Sequence, residues 1–323
     1  MVSKNKIALF DPSINTGNLG DKIIIESVNK TLKEIFRNAS KVGFSTRERL
    51  NEIDLKQLKN SDIQIVGGTN LLSSHMLFYK QWKIGLKESK SLSNCILLGV
   101  GWWQYQTSPD FYTKLILRRL LSKTYIHAVR DNYTKDKLKK IGINNSFLTG
   151  CPTIWTLTKK HCKKIPFKKS KNVIFTLTDY KKDKKLDKTM IEILSKKYDK
   201  LYFWPQGKKD TEYLKRINKK LKIKLTILPR SIKALDTILK KGDIDYIGTR
   251  LHAGIRALQH KRRTIIISID NRAEEMGKDF NLPTINRNDL NYLSNLIDKQ
   301  FKINIKLPLK EIKTWKSQFK KLK

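Results

Sequence analysis

Apolar residues in this chain gather in short β-rich runs, separated by longer segments in which they recur three and four positions apart. The runs predict strands at Lys6–Phe10, Lys41–Phe44, Ile63–Val66, Cys95–Val100, Tyr125–Val129 and Phe147–Leu148. The periodic segments between them predict helices, among them Asp21–Phe36 and Thr134–Lys140. Thr158–Lys171 has no clear period and reads as a linker. A second series follows, with strands at Asn172–Leu177, Leu201–Trp204, Leu225–Ile227, Ile244–Ile247 and Thr264–Ile267. Its helices fall near Lys184–Lys197, Asp210–Lys220, Ile232–Lys240, Leu251–Leu258 and Arg272–Phe280. Strand–helix alternation of this kind predicts an α/β fold built on parallel sheets. The expected architecture is two doubly wound, Rossmann-like domains facing a cleft, over residues 1–160 and 161–305, followed by a C-terminal helix over 306–323.

That last helix has its own pattern. Leu309, Ile312, Trp315, Phe319 and Leu322 form an apolar stripe, with Lys310, Lys313, Lys316, Lys320, Lys321 and Lys323 around it. Such a basic amphipathic helix either packs its stripe against a domain or lays it on an anionic membrane, with Trp315 and Phe319 as anchors.

At 323 residues, 39% of them hydrophobic, the chain can fill two cores. No run approaches the roughly 20 apolar residues that span a bilayer. Met1–Ile7 enters a strand without the apolar core of a signal peptide. Three cysteines, Cys95, Cys151 and Cys162, show no metal-ligand spacing. These features predict a cytoplasmic protein, peripheral at the inner face of the membrane if the tail helix touches it, with no bound metal. Charge adds a preference without a partner: 68 Lys and Arg face 29 Asp and Glu, a formal +39. Such a field attracts nucleic acid, anionic lipid and phosphorylated substrates alike. The lysines are spread along the chain, and neither zinc-finger spacing nor an RNA-recognition signature accompanies them, so no specific nucleic-acid partner is expected.

The most informative segment is Gly248-Thr249-Arg250-Leu251-His252-Ala253-Gly254, which joins a strand to a helix. Unpaired N–H groups and the dipole at a helix start favour an anion. Arg250 adds a forked positive charge, and His252 adds a proton that can move near neutral pH. The first strand empties into Asn15-Thr16-Gly17-Asn18-Leu19-Gly20-Asp21, which is neither a Walker A sequence nor a dinucleotide fingerprint. It is either a ligand-binding turn or a tight strand-to-helix connection with Asp21 in the first helical turn. Gly67-Gly68-Thr69-Asn70 is expected at another helix start, where the glycines serve a ligand or merely the turn. Arg130 ends the fifth strand and either binds a carboxylate or pairs with Asp131. Gln206, after Trp204-Pro205, could hydrogen-bond a sugar, with Asp210 as a helix cap. Glu274 and Glu275 are adjacent on a helix, so at most one can serve a site. His127 lies inside a strand, His161 in the linker, His260 past a helix end, and His75 faces a site only if its loop folds inward.

Taken together, these segments resemble the polysaccharide pyruvyl transferase family. The resemblance runs in order through Gly17-Asn18-Leu19-Gly20-Asp21, Val66-Gly67-Gly68, Val129-Arg130-Asp131, Thr149-Gly150-Cys151-Pro152, Gln206 to Asp210, Arg250-Leu251-His252 and the Glu274–Lys278 helix. It implies a fold similar to B-type glycosyltransferases. It also implies phosphoenolpyruvate as donor substrate with no further cofactor, and a cell-surface glycan or lipid-linked oligosaccharide as acceptor. On that resemblance, Arg250 holds the phosphate or carboxylate of the donor, Arg130 takes the other anionic group, and His252 is the general acid/base. The glycine loops with Asn18 and Asp21, together with Gln206 and Glu274, contact substrate. One departure is Cys151, where the family commonly has an acidic residue before the proline. Two other functions compete: a glycosyltransferase using a nucleotide sugar on the same scaffold, and a non-catalytic binder of nucleic acid or anionic surfaces.

Overall fold

Short apolar runs become parallel strands here because helices cover both faces of each sheet, so the central strands are buried while edge strands such as Ser40–Ser45 and Thr226–Ile227 are not. The computed structural model describes residues 5–320, which form two α/β units. The first comprises residues 5–16, 24–155 and 307–320, and the second residues 17–23 and 156–306.

In the first unit the strands are β1 (Lys6–Asp11), β2 (Ser40–Ser45), β3 (Ile63–Gly67), β4 (Asn70–Leu72), β5 (Cys95–Trp102), β6 (His127–Val129) and β7 (Ser146–Leu148). They run parallel in the order β2-β1-β3-β5-β6-β7, with β4 added to β5. The helices are α1 (Leu19–Ile35), α2 (Glu52–Lys59), α3 (Leu86–Ser91), α4 (Phe111–Leu120) and α5 (Asn132–Lys140). Phe10, Val66, Leu97 and Trp102 lie in this unit's core. The second unit carries α6 (Lys159–Cys162), β8 (Asn172–Thr176), α7 (Lys184–Lys197), β9 (Lys200–Phe203), α8 (Asp210–Leu221), β10 (Thr226–Ile227) and α9 (Ile232–Lys240). It continues with β11 (Ile244–Gly248), α10 (Leu251–Gln259), β12 (Thr264–Ser268), α11 (Asn271–Phe280), β13 (Thr284–Asn286) and α12 (Leu293–Asp298). Its strands are also all parallel, in the order β10-β9-β8-β11-β12-β13, around Phe175, Phe203, Ile247 and Ile267. Among the described residues no helix is long and apolar enough to cross a membrane.

One expectation is corrected, and one choice between two readings is narrowed. Gly67-Gly68-Thr69-Asn70 does not open a helix; Gly68 and Thr69 turn at φ 57° and 55°, and Asn70 begins β4. A Cβ on Gly68 would stand 2.1 Å from Ile24 Cγ2, so the turn needs glycine for both its backbone and its packing. Of the two readings of the tail helix, α13 (Leu309–Ser317), the packed one describes most of the stripe, with Leu309 exposed at its start. Ile312, Trp315 and Phe319 are buried in the first unit, Trp315 against Trp155, and Phe319 against Phe36 and Tyr125. Gln318 bonds both backbone groups of Ile126 and fixes the helix end. Leu322 of the stripe, with Lys321 and Lys323 beside it, lies outside the described residues.

Candidate functional site

Strand order in the second sheet reverses between β8 and β11, and the loops leaving their carboxyl ends part there, leaving room for side chains. Arg250 leaves β11 at this point and enters the core of the unit, only 3% exposed. Its backbone N–H donates to Thr176 Oγ1 at 3.2 Å, and its carbonyl accepts from the Tyr246 hydroxyl at 2.8 Å. Nε donates to the Leu177 carbonyl and to Asp210 Oδ2, both at 3.1 Å. Nη2 donates to Asp179 Oδ1 at 3.0 Å and to Asp210 Oδ1. Nη1 takes no part in this set. Burial would lower the guanidinium's pKa, but the charges of Asp210, Tyr180 and Asp179 outweigh it and raise it. Arg250 is a permanent cation at the head of α10, and His252 is the buried second residue of that helix.

Asp210 organises the loop opposite. It is fully buried at the first position of α8, and it does more than cap a helix. Oδ2 accepts from the N–H groups of Gln206 at 3.0 Å and Gly207 at 2.7 Å, while Oδ1 accepts from the Asp179 N–H at 3.1 Å. One carboxylate thus ties the loop after β9 to the loop after β8 and to Arg250. Residues 17–23, which the chain order places in the N-terminal half, join the second unit through this loop. Leu19 donates its N–H to the Gln206 carbonyl at 3.2 Å. Asn18 Oδ1 accepts from Gln206 Nε2 at 2.8 Å and from the Gly20 N–H at 3.1 Å. Arg230 Nη2 reaches the Gly17 carbonyl. A Cβ on Gly20 would stand 2.7 Å from Gln206 Nε2, so only glycine lets the amide in. Gln206 Oε1 is buried without a hydrogen bond. Asp21 is buried and lies 3.4 Å from Asn18 Nδ2.

Tyr180, Asp179 and Arg272 complete the second unit's cluster, and none was singled out from the sequence. The Tyr180 ring lies between two guanidiniums, 5.0 Å from Arg250 Cζ and 5.9 Å from Arg272 Cζ, and is 56% exposed. Arg272 pairs with Asp270, the residue that caps α11. Glu274, by contrast, sits part-exposed on α11 and pairs with Lys278 Nζ at 2.9 Å, one turn along the same helix. Glu275 also reaches Lys278, at 3.3 Å.

In the first unit the residues singled out from the sequence form a separate cluster. Arg130 is 1% exposed and pairs with Asp131, Nε to Oδ2 at 2.8 Å, while Nη1 reaches Asn70 Oδ1 just after the Gly67-Gly68 turn. Asp131 also caps α5, accepting from the Thr134 N–H at 2.8 Å. Gly101 packs flat against the guanidinium, where a Cβ would stand 2.1 Å from Arg130 Cζ. Cys151 is buried nearby in the loop after β7; burial pushes its thiol pKa up, and Thr153 and the Arg130 charge pull the other way. Gly67 packs against Leu9, Ile25 and Val28. His75 bonds Asp110 Oδ2 at 3.1 Å through Nδ1 and Thr107 Oγ1 at 3.0 Å through Nε2. Burial raises the Asp110 pKa, but bonds from Thr113 and His75 bring it below the usual carboxylate value.

A family model described as polysaccharide pyruvyl transferase matches residues 18–271. No curated protein matches the chain. Among solved structures, the UDP-GlcNAc 2-epimerase of Methanocaldococcus jannaschii, in complex with UDP-GlcNAc and UDP, superposes with a TM-score of 0.55 at 14% identity, covering 99% of each chain. The UDP-N-acetylglucosamine 2-epimerase of Rickettsia bellii gives 0.53 at 12% identity, covering 99% of this chain and 95% of the other. Identity this low shows the fold alone, which is similar to that of B-type glycosyltransferases.

Proposed function

Because the chain belongs to the polysaccharide pyruvyl transferase family, we propose that it moves a pyruvyl group from phosphoenolpyruvate onto two hydroxyls of a cell-surface glycan, or of its lipid-linked precursor, as a cyclic ketal. One observation carries this reading: the family match spans the loops that meet at the buried Arg250–Asp210 pair, namely Asn18–Asp21, Gln206–Asp210 and Arg250–His252. A buried cation at a helix head, fixed through Nε and Nη2 with Nη1 outside that set, is a preorganised anion site.

The chemistry asks for few groups. A proton goes to the methylene carbon of the donor, the first acceptor hydroxyl adds to C2 and loses its own proton, and a tetrahedral phosphate ester forms. Phosphate then leaves with its electron pair, giving an oxocarbenium-like centre. The second hydroxyl adds there, loses its proton and closes the ketal. On this proposal Arg250 has a double role. Nε and Nη2 hold the loops in place through Asp210 and Asp179, and the guanidinium, over the Tyr180 ring, offers its remaining Nη1 donor to the phosphate or carboxylate. His252 supplies the proton to the methylene carbon. Asn18 and Gln206, joined to each other by the Gln206 Nε2 bond, contact hydroxyl groups of the acceptor. Arg130, balanced by Asp131, binds substrate indirectly by shaping the Asn70 and Cys151 loops.

Phosphate release and the mass gain of one ketal, measured with phosphoenolpyruvate and a glycan acceptor, test the reaction. Phosphoenolpyruvate is expected to raise the melting temperature; protection by UDP-sugars and not by phosphoenolpyruvate would sink the reading. His252→Asn is expected to lower kcat about 100-fold or more at unchanged melting temperature. Near-normal turnover in that variant removes His252 from the mechanism.

A further inference from the structure

The first unit holds a second feature that the reaction above does not use. A cavity of about 580 Å³ opens between the loop after β2, the segment before α3 and the start of α4. Arg47, Arg49, Lys80, Lys83 and Lys87 line it, with Glu88 as the one carboxylate in the wall. Glu88 is already engaged, since its Oε2 accepts the Gly85 N–H at 2.8 Å. Lys80 leans over the Tyr112 ring, 5.8 Å from its centroid, and so points a charge across the cavity rather than outward. Arg47 is tied through Nε to the Pro12 carbonyl at 3.3 Å, and cations gathered around one concavity set up a positive field that draws a polyvalent anion.

The rim differs from the wall. Leu77 and Phe78 are adjacent in sequence, line the same cavity and are 53% and 87% exposed. A phenylalanine that exposed beside an exposed leucine is an apolar patch without a partner. Beneath them the structure is firm: Trp82 and Met76 are buried, and Tyr79 stacks on Trp103 at 4.0 Å. Cations inside and an apolar lip outside match a molecule with an anionic head and an apolar chain. The volume suits a single ligand head rather than a flat surface contact.

We propose that this cavity binds the diphosphate of an amphiphile, with Arg47, Arg49, Lys80, Lys83 and Lys87 around the head and Leu77 and Phe78 against the apolar chain. Resting on the pyruvyl-transfer reading, the ligand class is a glycan acceptor joined to a lipid through a diphosphate, which this unit grips by its carrier end. The specificity of the cavity is for the linkage, not for the sugar.

Binding of farnesyl diphosphate, inorganic pyrophosphate and farnesol to the full chain, measured by calorimetry at fixed salt, tests this. Farnesyl diphosphate is expected to bind about tenfold or more tighter than pyrophosphate, and farnesol not at all. Phe78→Ser should lower farnesyl diphosphate affinity about tenfold and leave pyrophosphate unchanged, whereas Lys83→Gln with Lys87→Gln should weaken both. Both variants alter exposed side chains, and circular dichroism checks their folding. Equal affinities for the two diphosphates, or affinities untouched by these substitutions, overturn the proposal. So does a short RNA that binds tighter than farnesyl diphosphate and is lost with the two lysines. Phosphate release with a soluble glycan acceptor is read in parallel. Its persistence in Phe78→Ser alongside failed amphiphile binding would separate loss of this inference from loss of the pyruvyl-transfer reading.

Discussion

His127 shows how one buried side chain can set a pH limit on the whole fold. It lies in β6 with no exposed surface, donating from Nε2 to the Ser122 carbonyl at 2.9 Å and accepting at Nδ1 from the Leu97 N–H at 3.3 Å. Burial pushes its pKa down to about 4, against the Ser122 bond, which acts the other way. The unfolded chain takes up that proton near an imidazole's usual value of about 6.5. Between the two values the unfolded state binds more protons, so stability rises with pH. The contribution is complete above about pH 6.5 and is lost as pH falls toward 4, by on the order of 3 kcal/mol. His127→Gln should flatten the pH dependence of the urea midpoint across that window; parallel curves for variant and wild type would refute it. The residue's position inside a strand was legible in the sequence, but its neutrality was not, because both partners come from other segments. The same holds at the candidate site. Arg250, His252, Gln206 and the Gly17–Asp21 loop stand out as polar residues at strand ends, whereas Asp179 and Asp210 look like ordinary helix-start acids. Only the fold reveals that both carboxylates meet one guanidinium.

At the scale of elements, periodicity sufficed where an element is long and covered on a known face. β11, α7 and α9 fall within one residue of their expected bounds. β4 and β13 were not legible, since Asn70-Leu71-Leu72 follows directly on the Gly67-Gly68 turn and Thr284-Ile285-Asn286 has a single apolar residue between polar ones. The tail helix is the instructive case, because one amphipathic pattern serves equally for packing or for a membrane. The partner decides, and here it is the first unit: Trp315 and Phe319 are wholly buried, and Lys316 pairs with Glu34. Trp315→Ala should therefore cost about 3 kcal/mol or more, read as a lower urea midpoint. It should leave sedimentation with anionic vesicles unchanged. Lost vesicle binding at unaltered stability would restore the membrane reading for this helix.

For the molecule as a whole, the question is whether a formal +39 is a device or a by-product of composition. With 68 Lys and Arg against 29 Asp and Glu, most cations have no carboxylate to pair with, and exposed pairs such as Lys188–Glu192 and Arg216–Glu212 are each worth little. The field therefore reaches solvent. On the proposed function the donor is a trianion, so a long-range field would raise its encounter rate without altering the chemical step. Salt separates these two effects, because the Debye length shrinks from about 10 Å at 0.1 M to about 3 Å at 1 M. Contacts with buried charges such as Arg250 are screened far less than the approach. The expected result is that kcat/KM for phosphoenolpyruvate falls several-fold as ionic strength rises from about 0.05 to about 0.5 M, with kcat nearly constant. A substrate of lower charge, such as phosphoenolpyruvate methyl ester, should show a shallower slope. If both slopes are flat, the lysines do nothing for the donor, and the charge belongs to composition and to the basic cavity of the first unit. If kcat falls as steeply as kcat/KM, salt is acting on the reacting groups themselves, and the anion site is more open to solvent than the buried Arg250–Asp210 pair implies.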